Sequence, residues 1–521
     1  MSAQKRFFLF AVCLIFSAWG LRAAGRSAKA ADSPSGQVRA YVANNKAAIL
    51  QEFAGLLSIP NLASDQENIR RNAARIVSML QQRGVEARLL ELPGAPPYVY
   101  GELRVPGATR TVAWYAHYDG QPVDPAQWAT KPWTPVLRDG PHGEGEKEIP
   151  LAGATGPFGD EWRIFARSAS DDKAPIMAML AALDALRAAG GSPSVNLKFF
   201  FEGEEEAGSP HLQAAFEKYA GVLHADAWLL CDGPVHQSRR LQLYFGARGV
   251  TDAELTVYGP MRVLHSGHYG NWAPNPAMLL AHLLTGLRDP DGAIRIPGYY
   301  DDVRPLTAEE NQALDAVPAV EPQLRAELGL DWTEGHGQSL SRLIAMPAIN
   351  LRGIESGHVG AKTQNAIPTE ATASLDFRLV PDQTPEKVRA KFESYLREQG
   401  YFLVSEAPDA EARKTHPKII RLRWGPGYPA GRTSLSLPFS RAVITAMEGA
   451  SGTPVIKMPT LGGSVPMYLF QQMLKAPVIG LPIVNHDNNQ HAANENLRLK
   501  NLWDGIEVFA VLFARLGHDW Q

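Results

Sequence analysis

The chain has 521 residues, 45% of them hydrophobic and 20% charged, with a formal net charge of −3. These proportions are those of a soluble globular protein, and the length calls for more than one domain. Both signs of charge are spread along the chain without a basic stripe, which argues against nucleic acid as a partner.

In chain order, Lys5 and Arg6 come first, followed by an apolar stretch from Phe7 to Trp19 and then small residues. Ala28-Lys29-Ala30 fits an A-x-A cleavage site. This predicts a signal peptide over residues 1–30 and a mature protein exported to the periplasm or the extracellular space. The stretch is shorter than the roughly 20 residues that span a bilayer, and no later segment is long and apolar enough, so no stable membrane span is expected. Cys13 falls inside the leader, so Cys231 is the one thiol of the mature chain and no internal disulfide is expected.

Helical periodicity runs from about Gln37 to Leu57 and from Glu67 to Arg83. VEARLLEL and TVAWYAHYD read as strands, and a Pro- and Gly-rich loop covers Gln121 to Pro157. RIFARSASDDKAPIMAMLAALDALRAAGG is a short strand, a turn and a helix stopped by Gly190 and Gly191. VNLKFFFEG and DAWLLCDG are further strands. Strands alternating with helices predict an α/β domain with a mostly parallel central sheet. Near Gly246 the pattern changes: VTDAELTVYG, AINLRGIESG and EATASLDFRLV alternate, with PAMLLAHLLTGL and TPEKVRAKFESYLREQG as helices. That predicts a smaller inserted α+β domain over 246–408, leaving a catalytic domain in two parts, 31–245 and 409–521.

In an open parallel sheet, ligands collect at the carboxyl ends of the strands. Those ends carry His117 and Asp119, Asp171 and Asp172, Glu202 to Glu206, and Asp232. Four glutamates among five residues at the end of the apolar run VNLKFFF need a positive charge nearby, because carboxylates repel and are costly to desolvate. Imidazole and carboxylate donors suit zinc or a similar divalent ion.

The motifs HYDGQPVDPAQW, SASDDKAP, EGEEEAGS, HSGHYG, GGSVP and QHAANE occur in an order that resembles the dinuclear zinc exopeptidases. That family includes carnosinase-type dipeptidases, glutamate carboxypeptidase, acetylornithine deacetylase and succinyl-diaminopimelate desuccinylase. The resemblance covers nearly all of the mature chain, and HYDGQP brings it nearest to the dipeptidase branch. It implies a zinc-exopeptidase catalytic domain interrupted by a ferredoxin-like lid and dimerisation domain. It also implies two Zn2+ per chain, with Mn2+ or Co2+ as alternative occupants.

Residue by residue, the resemblance implies that His117 and Asp232 bind one metal, Glu206 and His491 the other, and that Asp171 bridges the two. Asp119 orients the His117 imidazole, and Glu205 is the general base. Glu202 and Glu204 are left between a supporting role and a loop role. His265 is expected to reach the active site of a partner subunit in a homodimer formed through the inserted domain. Arg378 grips the substrate carboxylate, with Ser464 and Asn365 at the same pole. The sequence departs from the family at Ala166, Ser168 and Ala174, where glycine is frequent, and the segment from Asp289 to Ala348 is long for this domain.

The expected reaction is hydrolysis of an amide bond in a dipeptide or short peptide with a free C-terminal carboxylate. An N-acyl amino acid deacylase is the alternative on the same site, and a non-catalytic binding protein retaining the fold is the remote one. A calcium-stabilised structural protein fits poorly, because calcium takes oxygen ligands and two of the proposed ligands are imidazoles.

Overall fold

The computed structural model describes residues 34–143, 146–151, 156–463 and 465–520. The expected signal peptide lies outside them. Two compact units are present. One comprises the chain up to Leu243 together with Ser436–Val455 and the segment from Ile479 onward; the other comprises Tyr244–Leu435 and Ile456–Val478.

The first unit is α/β. Its central sheet contains, as successive neighbours, Glu86–Leu90, Tyr98–Leu103, Asn196–Glu202, Thr111–His117 and Ala227–Leu230. Thr111–His117 pairs in parallel with a neighbour on each side, in the registers Trp114↔Phe199 and Trp114↔Leu229. Such strands are covered on both faces, so they read as continuous apolar runs. Every residue from Val112 to His117 is accordingly buried. On one face Trp114 meets Phe513 edge-on at 4.9 Å and Phe509 at 5.5 Å. Both belong to the C-terminal helix Leu499–Asp519. Each such aromatic contributes about 1.5–3 kcal/mol by burial. The helix Lys173–Ala188 is buried almost throughout, from Lys173 to Leu183 without a break.

Two strands, Val136–Arg138 and Glu148–Ile149, lie in the region expected to be a loop. They form a smaller sheet with Arg163–Phe165 and Asn496–Arg498. Proline and glycine around them hide strands this short. Among the described residues no helix is long and apolar enough to cross a membrane.

The second unit is α+β. Its five-stranded sheet has the order Ala348–Glu355, Glu370–Leu379, Gly249–Tyr258, Ile419–Tyr428, Phe402–Val404, antiparallel except for the last pair. The helices Pro276–Leu287 and Pro385–Glu398 supply Leu280, Leu283, Phe392 and Leu396 to one apolar cluster with Leu255 and Phe377 of the sheet. The strand Ile419–Tyr428 extends this unit past the boundary expected at residue 408. Its Arg421, Arg423, Gly425 and Pro426 blur the alternation that marks the other strands. The long segment 289–348 carries the helices Ala308–Asp315, Glu321–Leu328 and Leu340–Ile344.

Candidate metal centre

The parallel register gathers the acidic strand ends. His117 closes its strand beside Glu202. Glu205 and Glu206 lie in the turn just past Glu202, and Asp232 lies two residues past the other neighbour, Ala227–Leu230. Asp171 precedes the helix Lys173–Ala188, and His491 sits in the loop before Asn496–Arg498.

Asp171 is the hinge of the arrangement. Its Oδ1 is 3.0 Å from His117 Nε2, and its Oδ2 is 3.1 Å from His491 Nε2. Glu206 Oε2 is 3.4 Å from the same His491 nitrogen. Among the described residues two groups of donor atoms result, each within 4.8 Å: His117 with Asp172 and Asp232, and Asp171 with Glu206 and His491. Asp172 is among the strand-end acids of the sequence, but the family resemblance assigns it no ligand role. Its carboxylate also accepts the His117 backbone N–H at 3.2 Å. The signal was the doublet in SASDDKAP, of which only the first aspartate was assigned.

The electrostatics are those of a buried site short of positive charge. Burial, then repulsion from Asp171, pushes Glu206 up to about 7 and Asp232 up to about 6. Burial also drives Asp172 and Glu205 well above the carboxylate range. Asp171 goes the other way: although burial would raise it, the bonds to His117 and His491 hold it below that range. For His117 burial opposes protonation, yet Asp119 and Asp171 keep the imidazole well above its ordinary value. Carboxylates crowded round two imidazoles, His117 buried and His491 about half exposed, are stabilised by a divalent cation, and the hard-oxygen and imidazole donors fit one.

The side chains around the donors are fixed. Asp119 accepts the Glu205 and Glu206 backbone N–H groups at 3.2 and 3.0 Å, and its Oδ1 lies 3.3 Å from His117 Nδ1. Gln121 Nε2 donates to Glu206 at 2.7 Å. The glutamate run divides by partner. Glu202 is buried, receives the Tyr115 hydroxyl at 2.6 Å, and is pushed by burial to about 8. Glu204 receives the Tyr98 hydroxyl at 3.2 Å and His211 Nδ1 at 2.9 Å. Both therefore brace the turn, and Glu205 and Glu206 are left at the site. Two glycines are required by close approach: a Cβ on Gly120 would strike the Ser168 hydroxyl, and one on Gly203 the Tyr118 ring. Glu495, in QHAANE, was not singled out from the sequence, yet it is fully buried and accepts four hydrogen bonds.

His265, Asn365 and Arg378 belong to the second unit. His265 and Asn365 come together there. The strand pair Leu264–His265 and Ala366–Ile367 is short, and the Asn365 carbonyl accepts the Ser266 N–H at 2.9 Å. His265 is exposed and its Nδ1 accepts the Gly267 N–H at 3.0 Å. Arg378 donates through Nε to Asp376 at 2.8 Å. Ser464 lies outside the described residues.

Residues 113–515 match the profile of peptidase family M20/M25/M40. A Cys-Gly metallodipeptidase of Schizosaccharomyces pombe is 27% identical over 427 residues, covering 81% of this chain and 83% of that protein. The human Beta-Ala-His dipeptidase is 26% identical over 468 residues, covering 87% and 84%. Among solved structures, an M20 family metallo-carboxypeptidase from Sulfolobus solfataricus superposes with a TM-score of 0.71 at 28% identity. That match covers 90% of this chain and 99% of the other.

Proposed function

The chain belongs to peptidase family M20/M25/M40, and from that membership we propose that it is a metallodipeptidase cleaving the amide bond of small peptides with a free C-terminal carboxylate. The observation that carries the reading is Asp171, whose two oxygens face two different imidazoles at 3.0 and 3.1 Å. In this reading His117, Asp171 and Asp232 would hold one zinc ion, and Asp171, Glu206 and His491 would hold a second. Asp172 stands with His117 and Asp232 in the first donor group, which Asp171 joins through its Oδ1 beside His117. Bound there, such ions would supply Lewis-acid chemistry to the scissile carbonyl and the attacking water.

The chain's own residues do the rest. Glu205 takes a proton from the attacking water and delivers it to the departing amine. Asp119 fixes both the His117 ring and the backbone of Glu205 and Glu206, so base and ligand are held by one carboxylate. Arg378 pairs with the substrate carboxylate as a planar fork, with Asn365 and Ser464 at that pole. His265 donates to the carbonyl oxygen in the site of a second copy. The homodimer of this reading forms through the second unit, whose edge strand Ala348–Glu355 leaves Leu351 and Ile354 about half exposed. Export follows from the leader-like residues 1–30 and suits scavenging of small peptides.

The test is a comparison of kcat/KM for a dipeptide, its C-terminal amide and its N-acetyl analogue, in protein stripped by chelator and reloaded with zinc. Loss of the carboxylate should cost about 1.5–3 kcal/mol, roughly 10- to 100-fold in rate, and Arg378→Ala should shrink that penalty. Equal cleavage of acid and amide would remove the carboxylate pole. Turnover of acylated substrates alone would make the protein an N-acyl amino acid deacylase.

A further inference from the structure

Glu495 is a further acid beside a cluster already crowded with carboxylates, and its surroundings explain why an acid is there. Its Oε1 accepts the backbone N–H groups of Ser170 and Asp171, at 2.9 and 2.8 Å. Its Oε2 accepts the Ser168 N–H at 2.9 Å and Arg167 Nη1 at 2.8 Å. Its own carbonyl accepts the Ala166 N–H at 3.1 Å, and the Ser170 hydroxyl donates to the Asn496 carbonyl at 2.7 Å. Glu495 and Arg167 are 0% and 2% exposed, and the Arg167 guanidinium lies over the Trp128 ring at 5.1 Å. All donors that face this side chain are N–H groups, and only a carboxylate offers acceptors in every direction. A glutamine would turn its own N–H2 towards two of them.

We infer that Glu495 is a positioning residue that sets Asp171 between the two imidazoles before metal arrives. It stands four residues past His491, so one side chain ties the loop that carries Asp171 to the loop that carries His491. Asp171 faces the imidazole of each donor group, His117 through Oδ1 and His491 through Oδ2, so loosening its loop disturbs both together. The inference rests on the two-metal reading of Asp171.

Two measurements test it. In chelator-stripped wild-type protein, hydrogen exchange across residues 166–172 should be strongly protected, because Glu495 and not the metal holds those amides. Fast exchange there would overturn the inference, and this arm needs no variant to fold. In the second, Co2+ is titrated against a chromophoric chelator, with the cobalt absorption bands recorded. Wild-type protein should bind two equivalents, and Glu495→Gln should bind both roughly 10- to 100-fold more weakly with altered bands. Glu495→Asp, which keeps the acceptors but shortens the reach, should fall between. A Glu495→Gln protein with lowered Tm but wild-type cobalt affinity and spectrum would leave Glu495 purely structural and sink the inference alone. Wild-type protein that binds no cobalt would bring down the two-metal reading as well.

Discussion

Ser168 sits in the left-handed region at φ 60°, buried, three residues before Asp171. A side chain there costs of order 1 kcal/mol or more, and the hydroxyl offsets it: Ser168 Oγ accepts Asn61 Nδ2 at 2.8 Å and donates to the Asp119 carbonyl at 3.2 Å. Ser168→Ala keeps the Cβ at positive φ and loses both bonds, so urea unfolding of the metal-free protein should show a loss of about 1–3 kcal/mol. Ser168→Gly relaxes the backbone and should lose less; a glycine variant weaker than the alanine one would refute this account. At the proposed base, Glu205→Gln is isosteric but cannot accept a proton. It should lower kcat roughly 10²-fold or more while elemental analysis still finds about two metal ions per chain, as in the two-metal template. Near-normal kcat in that variant would assign the proton to another group.

Between elements, the strand Arg163–Phe165 is pinned to the His491 loop by Arg163, which donates to Asp487 Oδ2 at 2.6 Å and to the Asp487 carbonyl at 3.0 Å. Burial would raise the Asp487 carboxyl, but the bonds from Arg163 and Asn485 bring it down to about 2. The folded value lies below the unfolded one. The contribution is therefore complete above the ordinary carboxylate pKa of ~4, and is lost as pH falls from there through about 2. Asp487 is 37% exposed at its side chain, so solvent screening keeps the effect modest. Asp487→Asn should flatten the stability profile in that acid window and leave its shape near neutrality unchanged. A variant whose acid limb overlays the wild type would show that the pair does not titrate with unfolding.

For the whole molecule, the proposed homodimer and the proposed cross-subunit role of His265 can be tested together. Chains carrying His265→Ala and chains carrying Glu205→Gln should each be inactive alone. Mixed under conditions where subunits exchange, they should recover part of the activity, because a hybrid dimer contains one site with both residues intact. Mass spectrometry of differently tagged chains verifies exchange. If exchange occurs and activity stays absent, His265 works within its own chain or not at all.

Much of this protein was legible in its sequence because the informative features are local. A buried parallel strand is an apolar run, and polar residues follow directly at its carboxyl end, so TVAWYAH, VNLKFFFEGEEE and DAWLLCD announced the α/β sheet and marked His117, Glu206 and Asp232 as candidate donors. What only the tertiary structure decided is what each carboxylate faces. Glu202 and Glu204 look like Glu205 and Glu206 on paper, yet Tyr115, Tyr98 and His211 claim the first two as braces. Asp172 gains its place from His117 and Asp232, and Glu495 from Arg167, 328 residues away in the chain. The strand Ile419–Tyr428 was likewise assigned by its partner Gly249–Tyr258 and not by its own pattern. Alternation and apolar runs encode which face of an element is buried. The charge state and role of a buried acid depend on the donors that long-range packing brings to it, and no local pattern carries that information.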